Sequence, residues 1–461
     1  MPESQPSGGR GLPLAPTTAV LLVVLLMASA VTVGADTNWL VALGNDVLTR
    51  RSIPVGVPFA AADSSSWVNV PALGEVLFAL VDRVGPLGLP LAQLAVDAAL
   101  LALMALGARR RGAGSGATAA VLALTCLGML PALGVIRAQL FSLVPFAALL
   151  LLLRTEHDRP TARIWFAVPL IALWGNLHGA VLVGLAVTGC YLLFSRARGE
   201  PLVTLGVGIA CLMALFANPA HVRTVSYYLG VLGNEAARRG TELWARPQLD
   251  KPFDLLLVVA AAVLATLALS RRLPLWEYMT LGGLALGTAT AARHGVWVLI
   301  FLSAPAAAGL TGLMARRGKS PRQHDARAAT TASVVLLVLG AVGVMAILAN
   351  RVGIFTTSPD LLREIRSAAA GRPVLATEPL AESLAAEGIP VWMSNPIDAF
   401  STNDQAAYLD FVAGQGPESV RALGMSNVVV APTGSPAAAL AQLTGFSVVR
   451  RVEAYDIMTR Q

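Results

Sequence analysis

Charge is scarce in this chain. Of 461 residues, 13% are Asp, Glu, Lys or Arg and 6% are aromatic, while 55% are apolar. An ordinary soluble domain carries about 25% charged residues, so a water-exposed globule is excluded. Lysine is nearly missing, since Lys251 and Lys319 are the only two, and the formal net charge of +7 rests on arginine. Those arginines sit in short clusters between apolar runs, a pattern that orients a membrane protein and does not suit nucleic-acid binding. The three cysteines, Cys126, Cys190 and Cys211, all fall inside apolar runs. They read as small core side chains, which excludes a disulfide framework, and no His/Cys/Glu spacing suggests zinc. What the chain does have is apolar runs long enough to cross a bilayer, about 18–20 residues each, repeated along its length.

These runs fall at 13–34, 86–108, 116–134, 139–153, 162–177, 180–195, 201–217, 253–270, 273–291, 295–313 and 329–349, which predicts eleven transmembrane helices. Residues 1–11 are rich in Pro, Gly and Ser and read as disordered. The first run follows a single arginine and precedes many more spans, so it reads as an uncleaved helix and not a signal peptide. Residues 71–82 are too short to span and carry Glu75, which suits a half-inserted helix. Residues 38–50 place Trp39, Leu40, Leu43, Val47 and Leu48 on one side and pair Asp46 with Arg50 on the other, the pattern of an interfacial amphipathic helix. The expected architecture is an all-α polytopic membrane domain over 12–350, with outward loops at 36–85 and 218–252, followed by a small α/β domain over 351–461. In that domain β-like runs near 373–375, 389–392, 428–430 and 446–449 alternate with helical patterns, and it carries no phosphate loop or catalytic constellation. Its expected role is accessory.

With the N-terminus in the cytoplasm, the short inner connections hold sixteen basic residues and the longer outer ones eleven up to Arg351, as positive-inside insertion requires. This topology sends the unusual polar groups at helix ends to one face. They are Asp36, Arg137 with Gln139, Asn176 with His178, Glu242 with Arg246, and Arg293 with His294. Convergence on one surface is what an active site there would produce. A carboxylate such as Asp36 or Glu75, partly desolvated at the headgroup level, can act as a general base toward a hydroxyl, and the pair could also hold a divalent metal. Arg137, Arg246 and Arg293 suit a lipid phosphate, because the guanidinium fork binds two oxygens. The bland account of each is a helix stop, a snorkelling arginine or a satisfied histidine.

Together these segments resemble the bacterial multi-pass members of the GT-C glycosyltransferase superfamily. Asp36, Trp39 and Gly44 look like the D-x-x-W-x-x-x-x-G start of the first outward loop in those enzymes, continued by Ile53-Pro54, Trp67 and Glu75. Arg137 to Ser142 is similar to their R-P-Q-hydrophobic-F-S segment, with Ala138 in place of Pro, and Trp174 to Gly179 to their W-x-N-x-H-G helix end. Asn218-Pro219 followed by Glu242 and Trp244 resembles their long outward loop, and Arg293 their later arginine at a helix start. The resemblance implies sugar transfer from a polyprenyl-phosphate donor to a cell-envelope glycan, lipid or protein on the extracytoplasmic face of the bacterial inner membrane. It assigns Asp36 as base with Glu75 in support. Arg137, Gln139, Asn176, His178, Glu242, Arg246, Arg293 and His294 would bind donor phosphate or substrate. Where the subgroup often carries further acids, this chain has Thr37 and Val57. A transporter or flippase of lipid-linked sugars is the alternative reading from another class; it would want mid-span acids, of which Asp97 is the main one. An inactive scaffold for envelope assembly is the third.

Overall fold

The computed structural model describes residues 31–241, 244–316 and 357–460. Most of the first expected span, the whole of the last one and Glu242 lie outside the described residues. A two-residue strand β1 (Thr32–Val33) leads into α1 (Ala35–Arg50), then α2 (Ala72–Asp82), α3 (Gly88–Arg110), α4 (Ser115–Gly128), α5 (Leu130–Gly134) and strand β2 (Val135–Ile136). There follow α6 (Leu143–Asp158), α7 (Ala167–Leu177), α8 (Val181–Tyr191), α9 (Pro201–Ala214), α10 (Thr224–Gly233), α11 (Glu235–Arg239), α12 (Pro252–Leu269), α13 (Leu275–Thr290) and α14 (Gly295–Arg316). Among the described residues, four stretches are long and apolar enough to cross a membrane: Gly88–Arg110, Leu140–Asp158, Pro252–Leu269 and Ala292–Arg316. Shorter apolar helices stand beside them, and the expected span 116–134 is broken at Met129 into α4 and α5.

The membrane core is built around α14, whose first fifteen residues are buried against α4 and α12. Phe146, Trp174 and Trp297 meet there with ring centroids 5.1–6.0 Å apart. Several arginines counted toward the expected orientation also form buried ion pairs. Arg154 Nε lies 2.8 Å from Glu277 Oε1, with Arg111 on the same oxygen, and Arg196 lies 2.7 Å from Glu156. A pair of this kind is costly to break, because the surviving charge stays buried.

Helix α1 begins at Ala35, so Asp36 lies in its first turn, not ahead of it as the amphipathic pattern suggested. Its apolar side, Trp39, Leu40, Val41 and Leu43, is buried against α2 and the C-terminal unit. The helix is therefore covered by protein, while Asp46 and Arg50 form the expected surface pair at 2.8 Å. A Cβ on Gly44 would lie 2.1 Å from Glu75 O, so only glycine lets α1 and α2 approach this closely.

The C-terminal unit has α15 (Pro359–Ala369), β3 (Val374–Ala376), α16 (Leu380–Ala386), α17 (Thr402–Ala413), α18 (Ser419–Gly424), β4 (Val428–Pro432), α19 (Pro436–Leu443), β5 (Phe446–Val452) and β6 (Tyr455–Arg460). The sheet is mixed, in the order β3-β4-β6-β5, with β3 and β4 parallel and the other pairs antiparallel. Strand β6 carried no signal in the sequence. The apolar run near 389–392 forms only isolated bridges, Val391 with Val374 and with Ala60. The second bridge belongs to a seam with the segment between α1 and α2. Ala61 N–H donates to Val391 O (2.9 Å), Ala62 N–H to Trp392 O (2.8 Å), and Asn38 Nδ2 to Ser383 Oγ (3.0 Å). Arg239 joins α11 to the unit, 2.9 Å from Glu235 and 2.6 Å from Asp410.

Candidate active site

Strands β1 and β2 pair in parallel, Thr32 with Val135 and Val33 with Ile136. Gly34 N–H and the Thr37 hydroxyl both donate to Ile136 O, at 3.0 and 2.8 Å. A Cβ on Gly34 would lie 2.7 Å from that same oxygen, which explains a glycine here. Because the strands run parallel, the ladder places Asp36 and Arg137 just beyond the same, C-terminal end, with Asp36 in the first turn of α1. Thr37 is fully buried by this contact, and Val57 is a core residue whose N–H donates to Ser64 Oγ at 2.9 Å. A carboxylate at either position would be buried away from the pocket, which accounts for the absence of the further acids.

Asp36 and Arg137 line a cavity of about 720 Å³, together with Gln139, His178, Arg293 and His294. Six of the expected site residues thus converge on one space. Its polar end gives way to an apolar channel between α8 (Leu182, Val183, Ala186, Val187, Cys190) and α13 (Met279, Gly283, Leu284, Gly287). Met279, at one end of this apolar stripe, is 44% exposed.

Each cation is held differently. Arg293, in the turn before α14, stacks its guanidinium 3.9 Å from the Trp244 ring centre. Ala292 N–H donates to Ala245 O at 2.9 Å and so fixes Trp244 beside it. Asp36, Tyr227, Asp398 and Arg137 all act electrostatically on Arg293. His178 ends α7, and Ala180 N–H donates to its Nδ1 at 3.2 Å. The proton of the neutral ring therefore sits on Nε2, making that atom a donor. Burial, reinforced by Arg293, lowers the His178 pKa to about 3, so it is uncharged near neutral pH.

The other expected residues lie elsewhere. Glu75 is fully buried in α2, does not line the cavity, and accepts a hydrogen bond from Asn69 Nδ2. Burial raises its pKa to about 8, which makes it a neutral acid near neutral pH. Asn176 spends its amide on Ala172 O (2.8 Å) and Ala217 O (2.7 Å), joining α7 to the end of α9. Arg246 is exposed and outside the cavity wall. Among the described residues, no group of three or more His, Cys, Asp or Glu is placed to hold a metal, and Glu75 and Asp36 do not converge on one.

Several wall residues came without warning. Tyr227 and Tyr228 of α10 line the cavity, as do Asn395 and Asp398 of the C-terminal unit. Trp67, noted only as part of the loop pattern, donates its indole N–H to Asp398 Oδ2 at 3.1 Å. Burial raises the Asp398 pKa, opposed by this bond and by Arg293. Nothing local marks Asp398 in the sequence, because its place depends on how the two domains dock.

No family model matches the chain, and no curated protein matches it. Solved structures do. Arabinofuranosyltransferase AftD from Mycobacteria aligns over 98% of this chain at 17% identity with a TM-score of 0.57, the chain spanning 42% of AftD. ArnT from Cupriavidus metallidurans bound to undecaprenyl phosphate aligns over 96% of this chain and 97% of its own, at 13% identity and a TM-score of 0.56. The archaeal oligosaccharyltransferase AglB from Archaeoglobus fulgidus aligns over 91% of this chain and 69% of its own, at 9% identity and a TM-score of 0.50. The chain has the fold of the GT-C membrane glycosyltransferases. At identities this low the likeness is one of architecture, and the chemistry must be argued from the pocket.

Proposed function

We propose that this chain is an integral-membrane glycosyltransferase that moves a sugar from a polyprenyl-phosphate donor to a cell-envelope glycan, lipid or protein on the extracytoplasmic face. One observation carries the reading. Asp36, Arg137 and Arg293 share a cavity that continues into an apolar channel between α8 and α13, with the exposed Met279 at one end of it. A lipid phosphate fits such a site, with its chain in the channel and its head among cations. ArnT, which shares the fold, was captured with undecaprenyl phosphate. In this reading the membrane domain covers 12–350 with eleven spans and a cytoplasmic N-terminus, residues 351–461 face outward, and the membrane is the bacterial inner one.

Asp36 accepts the proton of the acceptor hydroxyl as that oxygen attacks the anomeric carbon of the donor. The bond from that carbon to the phosphate oxygen breaks, and its electron pair leaves with the polyprenyl phosphate. Arg137 and Arg293 stabilise the charge gathering on the leaving phosphate, which is the larger electrostatic demand. His178 contributes a neutral Nε2–H donor, and Gln139 and His294 orient the head group. Asn176 holds the helix end that presents His178, and Glu75 supports α1 from behind. Replacing Asp36 by Asn keeps shape and removes the base. Transfer from an undecaprenyl-phosphate-linked sugar, measured with the full chain in nanodiscs, should fall by about 100-fold or more. Transfer at the wild-type rate by a properly inserted Asp36→Asn protein would overturn the assignment.

A further inference from the structure

The C-terminal unit contributes two hydrogen-bond acceptors to the pocket wall, and their surroundings decide what they can meet. Asn395 donates its Nδ2 hydrogens to Glu378 Oε1 (2.8 Å) and Glu382 Oε1 (3.1 Å). With both donors committed to carboxylates, Oδ1 is the group Asn395 has left for the cavity it lines. Asp398 accepts the Trp67 indole N–H on Oδ2 at 3.1 Å and also takes its own backbone N–H, and a carboxylate with about four lone-pair sites keeps acceptor capacity beyond these two bonds. The same cavity has the aromatic side chains of Trp39, Trp67 and Tyr227 in its wall. Acceptor oxygens beside aromatic faces match a ring that carries hydroxyl donors on its rim and C–H bonds on its faces. A phosphate or an acidic group set against residues 395–398 themselves would meet a carboxylate and a carbonyl dipole of the wrong sign, its place in the cavity being at Arg137 and Arg293, and a lipid chain there would desolvate Asp398 without compensation.

We propose that residues 395–398 form a hydroxyl-reading subsite for an uncharged sugar ring, which makes the C-terminal unit part of the substrate pocket and not an accessory. The proposal rests on the transferase reading above and deepens it. The ring belongs either to the lipid-linked donor or to a glycan acceptor, and both present the same chemistry. Asp398→Asn is nearly isosteric. Its amide oxygen can still accept from Trp67, so the NH2 turns toward the pocket and an anionic acceptor becomes a neutral donor.

The test is binding to the full chain in detergent, by native mass spectrometry, with a melting temperature for each variant. One arm compares undecaprenyl phosphate with undecaprenyl-phosphoryl mannose and undecaprenyl-phosphoryl arabinose. The other adds neutral mannose and arabinose oligosaccharides to protein loaded with undecaprenyl phosphate. The wild-type protein should favour a sugar-bearing probe on at least one arm. Asp398→Asn should lose about tenfold of that preference, as expected for a charge-assisted hydrogen bond, and bind bare undecaprenyl phosphate at least as tightly as the wild type, because it removes a negative charge that acts on Arg293. Loss on the first arm assigns the donor sugar, and loss on the second assigns the acceptor. A wild type indifferent to every sugar, or a wild-type-like preference in an Asp398→Asn protein of unchanged melting temperature, overturns the subsite. A wild type that fails to bind undecaprenyl phosphate overturns the carrier reading instead, and Arg293→Ala should weaken every lipid probe alike.

Discussion

Replacing Glu75 by Gln tests whether this acid belongs to the packing or to the chemistry. The carboxyl is 0% exposed, with Asn69 Nδ2 on one oxygen and no partner on the other. Desolvation raises its pKa from 4.5 to about 8. Below pH 4.5 the folded and unfolded chains both hold the proton, and the stabilisation is complete. Between 4.5 and about 8 only the folded chain holds it, so unfolding releases a proton and rising pH favours unfolding. One pKa unit is about 1.4 kcal/mol, so full passage through this window costs on the order of 5 kcal/mol. Gln cannot titrate, its oxygen can take the Asn69 bond, and its NH2 can reach the unpartnered Asn69 Oδ1. Melting of the detergent-solubilised protein from pH 5 to 9 should therefore show a shallower decline for Glu75→Gln, with the variant ahead at pH 8 and transfer retained. Parallel melting curves would refute the burial argument. Loss of transfer with unchanged melting would return Glu75 to the catalytic group.

Gly34→Ala forces a methyl to 2.7 Å from Ile136 O and should part β1 from β2. Transfer should drop by about tenfold or more, because small misplacements of reacting groups are costly, while melting changes little; full activity would disprove the ladder's role. His178→Leu should slow transfer by about 100-fold, since it removes a donor aimed at developing charge, and His178→Gln should recover part of the loss. With a His178 pKa of about 3, the pH–rate profile between pH 5 and 8 should keep its shape in both variants. An inflection there that disappears with the histidine would show that the ring does titrate.

The membrane character was legible because a long apolar run has few other uses, and the expected orientation rests on the arginine count alone. Pocket membership of Arg137, Gln139, His178, Arg293 and His294 was legible for a related reason, namely that polar groups at helix ends on one face have few other places to go. The acids were harder. Asp36 and Glu75 look alike in sequence, each an acid beside an apolar run, and only the packing of α2 under Gly44 shows that one faces the pocket and the other the core. Asp398 and Asn395 were invisible because their position depends on the seam that joins Val391 to the segment between α1 and α2, a contact between segments far apart in the chain. The same seam explains why the apolar run at 389–392 is not a regular strand: its backbone groups pair with a loop of the membrane domain.

The short ladder between β1 and β2 divides what the pocket can change from what it cannot. Asp36 and Arg137 are placed by peptide groups bonded to each other, so their separation is insulated from side-chain substitution elsewhere. The opposite wall comes from a separate unit, attached through Ala61, Ala62 and Arg239. If residues 395–398 read the sugar as proposed, grafting a different segment there would alter which ring is admitted and leave the spacing of Asp36 and Arg137 as it is. In engineering terms the protein has a fixed reaction jaw and an exchangeable gauge.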